Sequence, residues 1–194
     1  MRKKKSGWQT ILSIFIIAAI VLTAFILLSN RSENIAEAQP LKVTAVQEVL
    51  LRDMETNYPT SPKEVVKYYS EISRCYYAED YSDEEFIKLA DRAREVFDAE
   101  LVANQTEEQY LATLKADIAA YKTDNKVISS YSVSSSTDVD YYDYLGDKWA
   151  QLYCIYSIRV STTITPVTEK YLLRKDDDGH WKIFGWVLVE NEES

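Results

Sequence analysis

The densest run of chemistry-bearing side chains is RKDDDGHWKIFGW, residues 174 to 186, with three aspartates, a glycine, the only histidine of the chain and two tryptophans. Three chemistries suit those types: a calcium loop, a histidine general base oriented by Asp178, or a hairpin turn. An EF-hand loop with Gly179 at its sixth position would begin at Arg174 and need a carboxylate at Gly185, so both ends fail. A general base needs a reacting group within hydrogen-bond reach, whereas a residue beside a hairpin tip sits at the rim of a sheet. His180 therefore reads as a surface side chain. Asp177-Asp178-Gly179 is turn chemistry: acids that bond nearby backbone, and a glycine that tolerates positive φ. Trp181 and Trp186 have opposite parity, which puts one in the core and one on the outer face. No metal, cofactor or catalytic residue is expected.

The two cysteines, Cys75 and Cys154, lie among apolar neighbours in CYY and YCIY. Outside the cytoplasm they can form the single intrachain disulfide that two cysteines permit; as buried free thiols they would act as small hydrophobes. Their spacing fits no zinc motif. Among fifteen tyrosines, Tyr69, Tyr76, Tyr121 and Tyr156 fall on the apolar phase of a helix or strand. They pack in the core or, if the fold has a pocket, line it. Tyr141, Tyr142 and Tyr144 lie in DVDYYDYLGDK, read as a hairpin loop and as a candidate partner surface. No nucleophile elbow, phosphate loop or zinc-protease motif is present.

The elements that position these residues follow a membrane address. Residues 1–7 form a basic tail, and the uncharged run from Ile11 to Leu28 is long enough, at ~1.5 Å per residue, to cross most of a bilayer core of ~30 Å. Residues 8–28 are therefore a transmembrane signal anchor, with the N-terminus cytoplasmic by its four flanking cations and the remainder outside. Cleavage after Ala38, in Ala36-Glu37-Ala38, is the competing reading; the apolar run exceeds a secretory h-region and lies well upstream of that site. Residues 29–41 are a polar linker, 42–190 one domain and 191–194 a tail. Beyond the first five residues, 18 basic residues face 31 acidic ones, a net −13 that argues against nucleic acid and against an anionic membrane surface as partners.

Within the domain, Ser61 to Glu64, Ser82 to Glu85 and Thr106 to Gln109 carry the capping-box pattern of a helix start. Apolar stripes follow at helical spacing: Val65, Tyr69, Ile72 and Tyr76; Phe86, Leu89, Ala93, Phe97 and Leu101; Tyr110, Leu114, Ile118 and Tyr121. Val43 to Met54 is left open between helix and strand. From Lys126 the period becomes two, with strands over Val127 to Val133, Trp149 to Val160, Val167 to Arg174 and Trp181 to Val189. The class is α+β, about three helices on an antiparallel meander of about four strands.

That order, closed by a charged hairpin in which Gly179, Trp181, Lys182 and Ile183 fit the end of R-x-x-G-x-W-K-I while Arg174 stands two residues further upstream than that pattern has it, resembles the NTF2-like superfamily of cone-shaped domains over about residues 58 to 190. With the anchor and the SPKEVVKYYSEI start, the chain is similar to membrane-anchored families of Gram-positive bacteria. The resemblance implies a curved sheet and a conical space beneath the helices, and it embraces enzymes, ligand binders and assembly modules alike. One anchor with one outside domain matches the assembly members best, which implies a non-catalytic binding module of the cell envelope with a protein partner. The alternative is a pocket that binds or transforms a small apolar ligand. A partner module predicts a filled cone and an exposed aromatic patch. A pocket predicts a cavity of roughly 300 Å³ or more holding a titratable group with a shifted pKa.

Overall fold

Hydroxyl-led helix starts and a strand meander organise residues 43–189, the part of the chain that the computed structural model describes. The expected tail, anchor, linker and C-terminal tail lie outside those residues. Among the described residues no helix is long and apolar enough to cross a membrane.

Helix α1 (Ala45–Leu50) resolves the open stretch at Val43 to Met54: Thr44 and Gln47 form a complete capping box. In α2 (Pro62–Ala78), Ser61 accepts the Glu64 N–H, but the reciprocal half of the expected box moves one residue back. The Glu64 carboxylate takes the N–H and hydroxyl of Thr60 at 2.9 and 2.8 Å. Helix α3 (Asp83–Glu95) has the full Ser82/Glu85 box. The stripe expected to run on to Leu101 breaks there. Phe97 leaves the helix to bridge Ile183 in parallel, and Asp98 starts the short α4 (Ala99–Ala103) by accepting the Glu100 N–H at 2.9 Å. Helix α5 (Glu107–Thr123) opens on the complete Thr106/Gln109 box.

The sheet is antiparallel and has five strands: β1 (Lys126–Val133), β2 (Asp140–Tyr144), β3 (Asp147–Val160), β4 (Thr163–Lys175) and β5 (Trp181–Leu188). Its order is β1-β3-β4-β5, with β2 pairing β3 beyond the end of β1. The extra strand, β2, is the segment read from sequence as a loop. It returns into β3 through only Leu145 and Gly146, both at positive φ. Strand β4 begins earlier than expected and includes Pro166. This is tolerable because β5 pairs only as far as Glu169, so Pro166 sits on an open edge where no donor is needed.

Two bulges, between Ile128 and Ser130 and opposite Leu172 and Leu173, interrupt the ladders. Bulges bend strands and re-aim side chains. The second corrects the parity expected for the tryptophans. Leu172 pairs Gly185 while Leu173 pairs Ile183, so Phe184 is the extra residue, and Trp181, Ile183 and Trp186 share the inner face. The inner row of β3 is buried as expected at Ala150, Leu152, Cys154, Tyr156 and Ile158, while Val160, at the strand end, is exposed. Helix α2 packs across β1, β3 and β5. Its Val65, Val66 and Ile72 are fully buried, each worth roughly 1.5–3 kcal/mol of transfer free energy.

Candidate functional site

The 174 to 186 run is a turn and a clasp. Asp176 accepts the Gly179 N–H on its carbonyl at 3.0 Å and the His180 N–H on its carboxylate at 2.7 Å. Gly179 takes φ +85°, where a Cβ would be strained. The His180 ring lies exposed against Tyr58, with centroids 4.3 Å apart. Among the described residues no group of three potential ligands could hold a metal. Arg174 reaches from β4 to the α3–α4 junction, where Nε donates to Asp98 Oδ2 at 3.0 Å and Nη2 to Oδ1 at 2.7 Å. Lys182 donates to the Glu95 carbonyl at the end of α3, at 2.7 Å.

The space for chemistry lies elsewhere. Between α2, α5 and the inner face of β1, β3, β4 and β5 is a cavity of about 600 Å³. Helix α5 explains it: of its expected buried stripe only Ile118 is buried, and Tyr110, Leu114 and Tyr121 border the cavity half-exposed. Tyr156 lies at the floor and Tyr69 on the α2 wall, within 5.4 Å of the Trp186 ring. Asp117 is at the exposed rim.

One acid, Glu169, lies inside the cavity and heads a chain of hydroxyls. Its Oε2 is 2.5 Å from Tyr171 Oη, which is 2.9 Å from Tyr156 Oη; that oxygen is 2.8 Å from Ser70 Oγ, and Ser70 donates to the Val66 carbonyl at 2.8 Å. Four contacts need four protons, and the three hydroxyls supply three. With Tyr171 donating to Glu169, as in the ionised carboxylate, one of the other contacts lacks a proton, and a carboxyl proton on Glu169 would fill the set. When Glu169 ionises, Tyr171 donates to it, and the chain stays filled through Tyr156 if Ser70, which also lies 3.4 Å from Cys154 Sγ, turns from Val66 to Tyr156. Burial pushes the Glu169 pKa up, and the Tyr171 bond opposes that rise. Burial likewise pushes the Tyr156 and Tyr171 phenols up, so both stay neutral donors.

A family described as a domain of unknown function, DUF6715, matches residues 1–186. The chain belongs to that family. No curated protein matches it.

In this DUF6715 chain, three of the four tyrosines read as pocket lining do line the cavity: Tyr69, Tyr121 and Tyr156. Tyr76 does not. It is 2% exposed, packed edge-on to Tyr77 and tilted on Phe86, and its hydroxyl has no hydrogen-bond partner. The sequence reading missed Tyr77, Tyr110, Trp186 and, above all, Glu169. A signal for the last was present: Val167, Glu169, Tyr171 and Leu173 alternate along β4, so a lone acid occupies an inward position.

Tyr141, Tyr142 and Tyr144 sit on strand β2 and are 57%, 43% and 58% exposed, with Tyr141 leaning on Trp181 at 5.8 Å. Cys75 and Cys154 are both buried and both free, so the disulfide is not formed. Cys154 Sγ lies 3.4 Å from Ser70 Oγ, and Cys75 is five residues further along the same helix. That spacing puts Cys75 ~7.5 Å along the axis and ~140° round it, facing away from Cys154. Burial pushes the Cys75 thiol to about 11 and raises Cys154 as well. Iodoacetamide at pH 8 is therefore expected to leave both thiols unmodified in the native protein and to label both in urea, as read by peptide mass spectrometry. Labelling in the native state, or a disulfide-linked peptide in urea, would contradict this placement.

Proposed function

We propose that this chain is a membrane-anchored, extracytoplasmic ligand-binding protein of the bacterial cell envelope, with an NTF2-like cone as its binding domain. The observation that carries the reading is the cavity of about 600 Å³ with Glu169 inside it at the head of a hydroxyl chain. A module that worked only through its outer surface would have no use for that arrangement. It would close α5 onto the sheet and bury Tyr110, Leu114 and Tyr121, which are left half-exposed. A partly buried acid that costs stability, set in an aromatic-lined concavity, is the usual mark of a binding site. The order of the two readings drawn from the sequence is thereby reversed. Assembly with an envelope protein through Tyr141, Tyr142 and Tyr144 stays as the second reading, favoured by their exposure on the edge strand β2.

The test is a fragment screen by ligand-observed NMR on the full chain in nonionic micelles, with Leu114→Trp as a variant that fills the cavity. Fragments that bind wild type and are lost in Leu114→Trp, at an unchanged or higher melting temperature, support the pocket. An absence of hits, or hits that Leu114→Trp leaves intact, would sink it.

A further inference from the structure

The charge of the cavity narrows what enters it, granted the pocket reading above. Its lining, among the described residues, holds two carboxylates, Asp117 and Glu169, and no lysine, arginine or histidine. Six aromatic rings share that lining: Tyr69, Tyr77, Tyr110, Tyr121, Tyr156 and Trp186. Both acids act on one phenol: after burial, Asp117 and then Tyr121 and Glu169 push Tyr77 up. Two cations that lie against lining rings are already engaged and stand outside the lining. Lys126, over the Tyr121 ring, is held by Asp124 at 2.7 Å, and Arg94, near the Tyr110 ring, pairs with Glu107 at 3.6 Å.

We infer that the cavity binds an organic cation, its ammonium group set against the aromatic rings and paired with Glu169. Ring faces carry negative potential and attract such a group, most strongly where water is excluded. An anion would meet two carboxylates with no compensating charge. A calcium or magnesium ion would need six or more oxygen ligands and a zinc ion at least three protein ligands, and no group of even three candidate ligands exists among the described residues. A cation also matches the proton count. Its arrival favours ionised Glu169, the carboxyl proton leaves to solvent, and the three hydroxyls reverse as Ser70 turns from Val66 to Tyr156.

Affinity for the cation is thus expected to rise with pH through the titration of Glu169 and then level. The groups facing Glu169 are Tyr156 and Cys154 from β3, Tyr171 from β4, Tyr69 and Tyr77 from α2, and Tyr121 and Asp117 from α5; Trp186 and Leu188 of β5 carry no charge. The phenols and the thiol are all raised and stay neutral across that range.

The experiment uses the full chain in nonionic micelles and three probes: benzyltrimethylammonium, its uncharged carbon isostere neopentylbenzene, and benzoate. The ammonium is expected to bind at least about tenfold tighter than the isostere. Glu169→Gln should weaken the ammonium about tenfold and the isostere less than about threefold, and Leu114→Trp should remove both. If the isostere or benzoate binds as tightly as the ammonium in a manner that Leu114→Trp abolishes, the cation inference is overturned while the pocket reading stands. If no probe binds, or Leu114→Trp changes nothing, both fall.

Discussion

Arg174→Met is expected to lower the melting temperature by roughly 6 to 20 °C, the thermal equivalent of about 3 to 5 kcal/mol in a domain of this size. The reason is its partner. Asp98 is 3% exposed, and Arg174 supplies both charge-assisted bonds to its carboxylate while stacking over Trp149 and Phe184. Removing the guanidinium leaves a buried charge with only the Glu100 N–H. The same loss frees the α3–α4 junction, which is otherwise tied to β5 by the exchange of backbone bonds between Ile183 and both Val96 and Asp98. Because the penalty is that of an orphaned charge, the double variant Arg174→Met with Asp98→Leu should recover more than half of it, less about 1 kcal/mol for the lost cap of α4. Thermal unfolding followed by circular dichroism decides. A shift under about 0.5 kcal/mol for the single variant would make the clasp no better than a surface ion pair.

That clasp also shows what the motif on which the NTF2-like resemblance rests does in the fold. Arg174 holds Asp98, Gly179 makes the turn, Lys182 caps the end of α3, and Ile183 bridges Phe97. Arg174, Lys182 and Ile183 dock the β4–β5 hairpin onto the helical side and Gly179 closes its turn, so the residue types were legible as a turn while the long-range partner was not. Asp98 looks like any helix cap in the sequence, and nothing local ties it to a residue 76 positions away.

The helix starts were legible because capping is local. The same signal was available and overlooked at Thr44 and Gln47. Strand β2 was hidden for the opposite reason. Its return turn uses Leu145-Gly146 instead of Asn-Gly or Asp-Gly, with Leu145 at φ +53°, a conformation that costs a non-glycine residue roughly 1 kcal/mol and that sheet pairing must offset. The bulge at Phe184 was equally silent, and with it went the placement of Trp186. Periodicity assumes an unbroken ladder, and a single extra residue reverses every inference beyond it. The cavity was the least legible feature of all, because the stripe on α5 has the same spacing whether it meets a sheet or faces a space.

Tyr171→Phe tests the hydroxyl chain itself and should cost about 1 to 3 kcal/mol near neutral pH, because it strands two groups at once. Tyr156 loses one of its two partners, and Glu169 loses the bond that lowers its pKa against the effect of burial. The pH dependence follows from the sign. A carboxyl whose folded pKa lies above its unfolded value adds stability that is fully present below the unfolded pKa and is lost as pH rises through the folded one. Tyr171→Phe pushes the folded pKa of Glu169 higher still, so the variant loses more than wild type over the climb to neutral pH, and its deficit is larger at pH 7 than at pH 4. Tyr153→Phe, on the exposed face of the neighbouring strand β3, is the control and should stay within about 0.5 kcal/mol at both. Urea titrations of the three proteins at the two pH values give the comparison. A deficit for Tyr171→Phe that is equal at pH 4 and pH 7 would mean that Glu169 does not titrate through this chain. The reversal of the hydroxyls on ionisation would then lose its physical basis.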